Sequence, residues 1–76
     1  MNERWINIVE RYKNGEMRKE YDPQRGWVLP CSTSEQLMIG LATDERDLLL
    51  DWDGFEAYQN RLNDEQREVV DHYRSR

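Results

Sequence analysis

The apolar residues of this chain fall into short phased groups set between charged ones. Trp5, Ile8, Val9 and Tyr12 stand at i, i+3, i+4 and i+7, the spacing that lines one face of a helix. The pattern predicts a helix over residues 2–13. Asn2 would cap its start and Asn14-Gly15 would provide a left-handed stop. The same Asn-Gly pair is also a strong hairpin signal. The arm that would have to pair, residues 16–20, is too charged to match the first segment, so the helix is preferred.

Residues 17–29 predict a small β-hairpin. Met17, Lys19 and Tyr21 alternate with charged residues, and Trp27-Val28-Leu29 has high β preference. Between them, Asp22-Pro23-Gln24-Arg25-Gly26 is a turn: Pro presets φ at the first corner and Gly supplies positive φ at the exit. Pro30 ends the second strand.

The remainder reads as helices. Ser32 and Glu35 fit a capping box before a helix over residues 35–42, with Leu37, Met38 and Leu41 facing inward. Thr43 or Asp44 would cap a second short helix running through Trp52 and broken at Asp53-Gly54. A helical turn would cover residues 55–62. Asn63, with Gln66 three positions on, would cap a last helix over residues 64–74. Leu62, Val69, Val70 and Tyr73 form its inward stripe. Asp64 and Glu65 at its start and Arg74 at its end match the helix dipole. The expected fold is α+β, mainly α: three to four short helices and one small β-hairpin around a single core, in one domain spanning residues 1–76.

Composition narrows the picture. Leu, Ile, Val and Phe account for only 15 of the 76 residues, but eight aromatics add core volume and the net charge is only -5. A folded domain is therefore expected, not a disordered chain. No apolar run exceeds three residues, so no membrane span is expected. The start Met1-Asn2-Glu3-Arg4 lacks the pattern of a secretory signal. The lone Cys31 cannot form an internal disulfide and points to a reducing, cytoplasmic setting.

Chemistry-bearing patterns are sparse. One Cys and one His do not make a zinc site. Asp51-Trp52-Asp53-Gly54 has the flavour of a calcium loop, yet placing Gly54 at the sixth position puts Leu49 at the first, so the register fails. Cys31 precedes a helix start, where a dipole could activate a thiol, but a small buried apolar role is the simpler expectation. His72 sits in the last turn of the final helix, a place that favours a surface cation. The four Gly are scattered and make no phosphate loop. No cofactor, metal, small-molecule substrate or catalytic activity is expected.

Charge is distributed unevenly. Residues 1–38 carry six basic and six acidic groups. Residues 39–76 carry five basic and ten acidic groups, so the whole net charge lies there. Direct nucleic-acid binding needs a concentrated basic face. The hairpin with Arg18, Lys19 and Arg25 is the only candidate for one. A full DNA mimic would need a denser array of carboxylates.

From Asp44 to Glu56 the acids Asp44, Glu45, Asp47, Asp51, Asp53 and Glu56 are interleaved with three leucines, Trp52 and Phe55. Three adjacent leucines cannot all face one side of a helix, so either that helix is buried on most sides or one Leu or Trp52 is partly exposed. An aromatic rimmed by acids suits a protein-binding anchor. The candidate contact residues are Asp44, Glu45, Asp47, Asp51, Trp52, Asp53 and Phe55. A second candidate face joins Arg4, Trp5, Arg11 and Tyr12, whose residue types are enriched in binding hot spots. The expected function is a non-enzymatic modulator that binds another protein bearing a basic patch. By analogy of size, charge and lack of catalytic groups, such proteins are common among phage and mobile elements, where many block transcription or CRISPR-type defence complexes. The alternative is a small DNA-binding transcriptional regulator.

Overall fold

The structure, a computed structural model, describes residues 3–75. Four helices and one hairpin follow in the order α1 (Glu3–Lys13), β1 (Glu20–Asp22), β2 (Gly26–Val28), α2 (Thr33–Thr43), a 3-10 turn (Arg46–Leu49), α3 (Gly54–Asn60) and α4 (Asp64–Arg74). This is the expected α+β, mainly α arrangement.

Each helix end has a local cause in the sequence. Helix α1 stops at a left-handed Gly15, φ 81°. Glu16 N–H reaches back to the Arg11 carbonyl at 2.9 Å and Gly15 N–H to that of Tyr12 at 3.1 Å, the paired bonds of a Schellman stop. The expected cap Asn2 lies outside the described residues. Helix α2 starts at the Ser32–Glu35 capping box and α4 at the Asn63–Gln66 box, both with reciprocal bonds formed. In α3, Asp53 is the cap. Its carboxylate accepts from Phe55 N–H at 2.8 Å and Glu56 N–H at 3.4 Å.

The hairpin pairs Glu20 with Val28, Tyr21 with Trp27 and Asp22 with Gly26. Asp22 fixes the turn by accepting from the Gln24 and Arg25 amides, and Gly26 takes the positive φ of 88°.

Helix α2 is the centre of the molecule, packed against α1, α3, α4 and the 3-10 turn. Its Leu37, Met38 and Ile39 are fully buried and join Val9, Leu48, Ala57, Leu62, Val69 and Val70 in the core. Leu41, expected to face inward, is only half-buried at the edge of this cluster. Gly40 has a steric reason to be Gly. A Cβ there would lie 3.0 Å from Leu48 Cβ and 3.1 Å from the Glu45 carbonyl oxygen. The 3-10 turn therefore lies directly on the α2 backbone.

One expected element is different. The second short helix through Trp52 is replaced by the 3-10 turn and an irregular link. Asp44 does not cap a new helix; it ends α2 in the left-handed conformation, φ 58°, which Asp tolerates better than most side chains. The leucine run is then split. Leu48 is buried, Leu49 and Leu50 are half-buried, and Leu50 turns the chain at φ 57°, ψ −128°. Such a backbone costs a non-Gly residue about 1–3 kcal/mol, which the burial of Leu48 offsets. No helix among the described residues is long and apolar enough to cross a membrane.

Candidate functional site

The acidic segment is divided by the fold into residues that hold the molecule together and residues that face outward. Asp44 pairs with Arg74 of α4 at 3.9 Å. Glu45 and Asp47 share the Lys19 ammonium at 3.5 and 3.3 Å. Glu45 also accepts the Tyr12 hydroxyl proton in a hydrogen bond. Burial, and then this carboxylate, push the Tyr12 phenol well above its ordinary range. Asp53 is occupied as the α3 cap. Among the described residues, Asp51 and Glu56 have no ion-pair partner.

The aromatic pair of this segment is presented unequally. Phe55, in the first turn of α3, is 72% exposed. Trp52 is half-buried, with the Arg61 guanidinium 5.1 Å from its ring centre. Behind Phe55 an open groove of about 650 Å³ runs between the end of α2, the 3-10 turn, α3 and α4. Leu41, Leu49, Trp52, Tyr58 and Val70 give it an apolar lining, and Asp44, Arg46, Asp71 and Arg74 edge it. Tyr58 is held in place by its hydroxyl, which donates to the Asp71 carboxylate at 2.9 Å.

The second candidate face is pulled apart. Trp5 packs against the core, and its indole N–H is buried without a hydrogen-bond partner among the described residues. A Trp anchor presents that donor to its partner, whereas here it points into the molecule. Arg4 covers the Trp5 ring at 4.7 Å and reaches Glu35 at 4.0 Å. Arg11 is exposed. Tyr12 is joined to Glu45, so the two candidate faces are tied together by an internal hydrogen bond. The cleft of about 760 Å³ beside this bond, lined by Tyr12, Met17, Lys19 and Tyr73 among others, has its carboxylate and phenol already satisfied.

The activated-thiol idea for Cys31 is reversed. Burial, followed by the Glu35 charge, pushes the thiol up to about 11, so at neutral pH it is not a thiolate nucleophile. His72 is half-buried with its ring edge-on to Tyr73. Among the described residues no three His, Cys, Asp or Glu side chains gather as a metal site would need.

Two features escaped the sequence pattern. One is the exposure of Tyr21 and Trp27 on the hairpin, at 64% and 36%. The turn register, which sets them opposite each other, was the signal. The other is Gln36, fully buried in α2. It accepts from Leu29 N–H at 3.0 Å and donates to the carbonyls of Trp27 and Leu48 at 2.8 and 3.0 Å. A lone Gln in an apolar helix run gives no pattern that names its partners.

Compared with known protein families, curated proteins and solved structures, the chain matches none.

Proposed function

We propose that this protein is a non-enzymatic cytoplasmic binding protein that docks on another protein through the Phe55 groove and modulates that partner. The observation that carries the reading is Phe55, a large apolar ring held out at the head of an ordered helix beside an apolar groove. Exposed rings scattered singly are common. A ring set beside an apolar groove edged by Asp44, Arg46, Asp71 and Arg74, with the unpaired carboxylates of Asp51 and Glu56 near it in the chain, has the make-up of an interface centre with a charged rim. Rigid placement by the Asp53 cap reduces the ordering cost on binding.

The two free carboxylates favour a partner with a basic surface, since complementary charge speeds encounter and fixes register. Surfaces of that kind are found on nucleic-acid machines, such as transcription or CRISPR-type defence complexes.

The test is affinity capture with the wild-type chain and two variants, followed by measured affinity for whatever is captured. Phe55→Ala is expected to weaken binding by about 2 kcal/mol, roughly thirtyfold, as a hot-spot loss. Asp51→Lys with Glu56→Lys is expected to slow association with little change in folding. Asp47 is unsuited to charge reversal, because a Lys there would face Lys19. Capture that is indifferent to all three substitutions would remove this surface from consideration.

A further inference from the structure

The groove and the ring at its head are two halves of a contact that one chain cannot make with itself. Phe55 belongs to the groove lining and is still 72% exposed. The ring therefore stands at the edge of the groove and does not fill it. An apolar knob and an open apolar hole of about 650 Å³ lie side by side on one face.

The charged residues that line this groove show the same incompleteness. Asp44 and Arg74 are paired with each other at 3.9 Å. Asp53 accepts from the Phe55 and Glu56 amides, and Asp71 from the Tyr58 hydroxyl. Those donors are neutral, so no cation compensates either carboxylate, and each has lone pairs to spare. Arg46, Asp53 and Asp71 are all exposed and, among the described residues, have no ion-pair partner. One lining thus carries uncompensated charge of both signs.

We propose that a second copy of this chain covers the groove, in a two-fold dimer in which each Phe55 ring enters the groove of the other copy. The dimer rests on the reading of the Phe55 groove as a docking surface, and adds an occupant that any other partner must displace. A two-fold interface sets the same patch on both sides, so the patch must be self-complementary. This one meets that condition. The knob matches the hole, and Arg46 of each copy faces the Asp53 and Asp71 carboxylates of the other. A partner surface of one sign satisfies one of these sets and is repelled by the other, whereas a second copy brings both. Each contact is also made twice. The net charge of −5 on each chain opposes the approach of two copies, but at about 0.15 M salt charges more than about 8 Å apart are largely screened.

The experiment is sedimentation equilibrium of the full chain from about 1 µM to about 1 mM, at about 0.15 M salt. The mass is expected to rise with concentration from the 9.3 kDa of one chain toward twice that value. Phe55→Ala removes a ring that is already largely exposed, so the variant folds. It is expected to weaken the dimer about thirtyfold for each of the two rings, roughly a thousandfold in all. Arg46→Glu and Asp71→Lys each set like charges against one another twice, and each alone is expected to shift the chain toward monomer. An equal mixture of these two variants has opposite charges at both contacts and is expected to form a mixed dimer, which a folding defect in either chain would not produce. A chain that stays monomeric up to about 1 mM would overturn the proposal. So would a dimer that Phe55→Ala leaves intact, or a mixture that associates no better than either variant alone. A monomeric chain that still captures another protein through Phe55 would overturn the dimer and leave the docking reading standing. A Phe55-dependent dimer whose capture of other proteins ignores Phe55 would uphold the dimer and remove the other partner from the groove.

Discussion

Gln36 shows how much one side chain can decide in a domain with so few apolar residues. A fully buried amide is tolerated because its oxygen and nitrogen are both used, by Leu29, Trp27 and Leu48. It braces three segments that have no shared secondary structure: the exit of the hairpin, the central helix and the 3-10 turn. Gln36→Leu would keep the volume and remove all three bonds, leaving buried backbone groups unpaired at about 1–3 kcal/mol each. The expected loss of stability is about 2–4 kcal/mol, since the freed backbone groups re-pair in part. Urea denaturation would measure it, and the near-ultraviolet dichroism of Trp27 should weaken in the same variant. A change below about 0.5 kcal/mol, the range of an ordinary surface substitution, would show that the brace is dispensable. Trp5 is the contrary case, a buried donor left without a partner among the described residues. Its burial marks it as a packing residue, although its type and its neighbour Arg4 suggested a contact.

At the scale of elements, the close approach of the 3-10 turn to α2 makes a prediction that helix propensity alone would reverse. Gly in a helix interior is less favourable than Ala by about 1 kcal/mol, so Gly40→Ala should stabilise an isolated α2. In the folded molecule the added Cβ meets Leu48 Cβ at 3.0 Å and the Glu45 carbonyl oxygen at 3.1 Å. Both atoms are fixed to the backbone and cannot rotate away. The turn must shift, and overpacking of this kind costs about 1–3 kcal/mol. A net destabilisation of about 1 kcal/mol is expected from thermal or urea unfolding, and a net gain would show that the turn yields freely. The same pair of elements marks the limit of what the chain discloses as text. The caps Ser32 and Asn63 were legible because their signals are local, a side chain and an amide three residues apart, and the stop at Gly15 because Asn-Gly marks a left-handed position. The hairpin register was legible from its turn. The 3-10 turn was not, because its course depends on Gly40 and Leu48 meeting in space, and the pattern of leucines around it fits an α-helix equally well. Phe55 and Trp52 were recognised as candidate contacts. Their neighbours across the groove, Leu41, Val70 and Arg74, come from elements that only packing brings together.

Across the whole molecule, the surplus of acids is partly consumed within the fold, and the way it is consumed sets the response to pH. Asp44, Glu45 and Asp47 are paired with Arg74 and Lys19 and Asp53 caps α3, so among the described residues Asp51 and Glu56 are the carboxylates of the acidic segment left without an ion pair or a cap. Three weak acids beside carboxylates are held in their neutral form. Tyr12 is raised from 10.0 by burial and Glu45, Cys31 is raised from 9.0 to about 11 by burial and Glu35, and Tyr58 is raised from 10.0 chiefly by its bond to Asp71. The Tyr58 ring is half-buried but its bond to Asp71 is exposed, so its share is heavily screened. In the unfolded chain these groups lose their protons at their ordinary values, while the folded chain keeps them. Above about pH 9 the folded state therefore binds more protons than the unfolded one, and stability must fall as pH rises. The contribution is fully present at neutral pH. Urea midpoints are expected to hold level up to about pH 8.5 and then to decline progressively through about pH 11. Cys31→Ala should flatten the early part of that decline, and Tyr12→Phe should flatten the part above pH 10, whatever either substitution does to stability at neutral pH. The Cys31 thiol should also react with iodoacetamide more slowly in the folded chain than in urea at the same pH, because its thiolate fraction is depressed. A midpoint that stays constant to about pH 11, or a decline that both variants leave untouched, would mean that Tyr12 and Cys31 ionise as freely in the fold as outside it. The Tyr12–Glu45 hydrogen bond that ties α1 to the acidic segment would then have to be abandoned as a feature of the protein in solution.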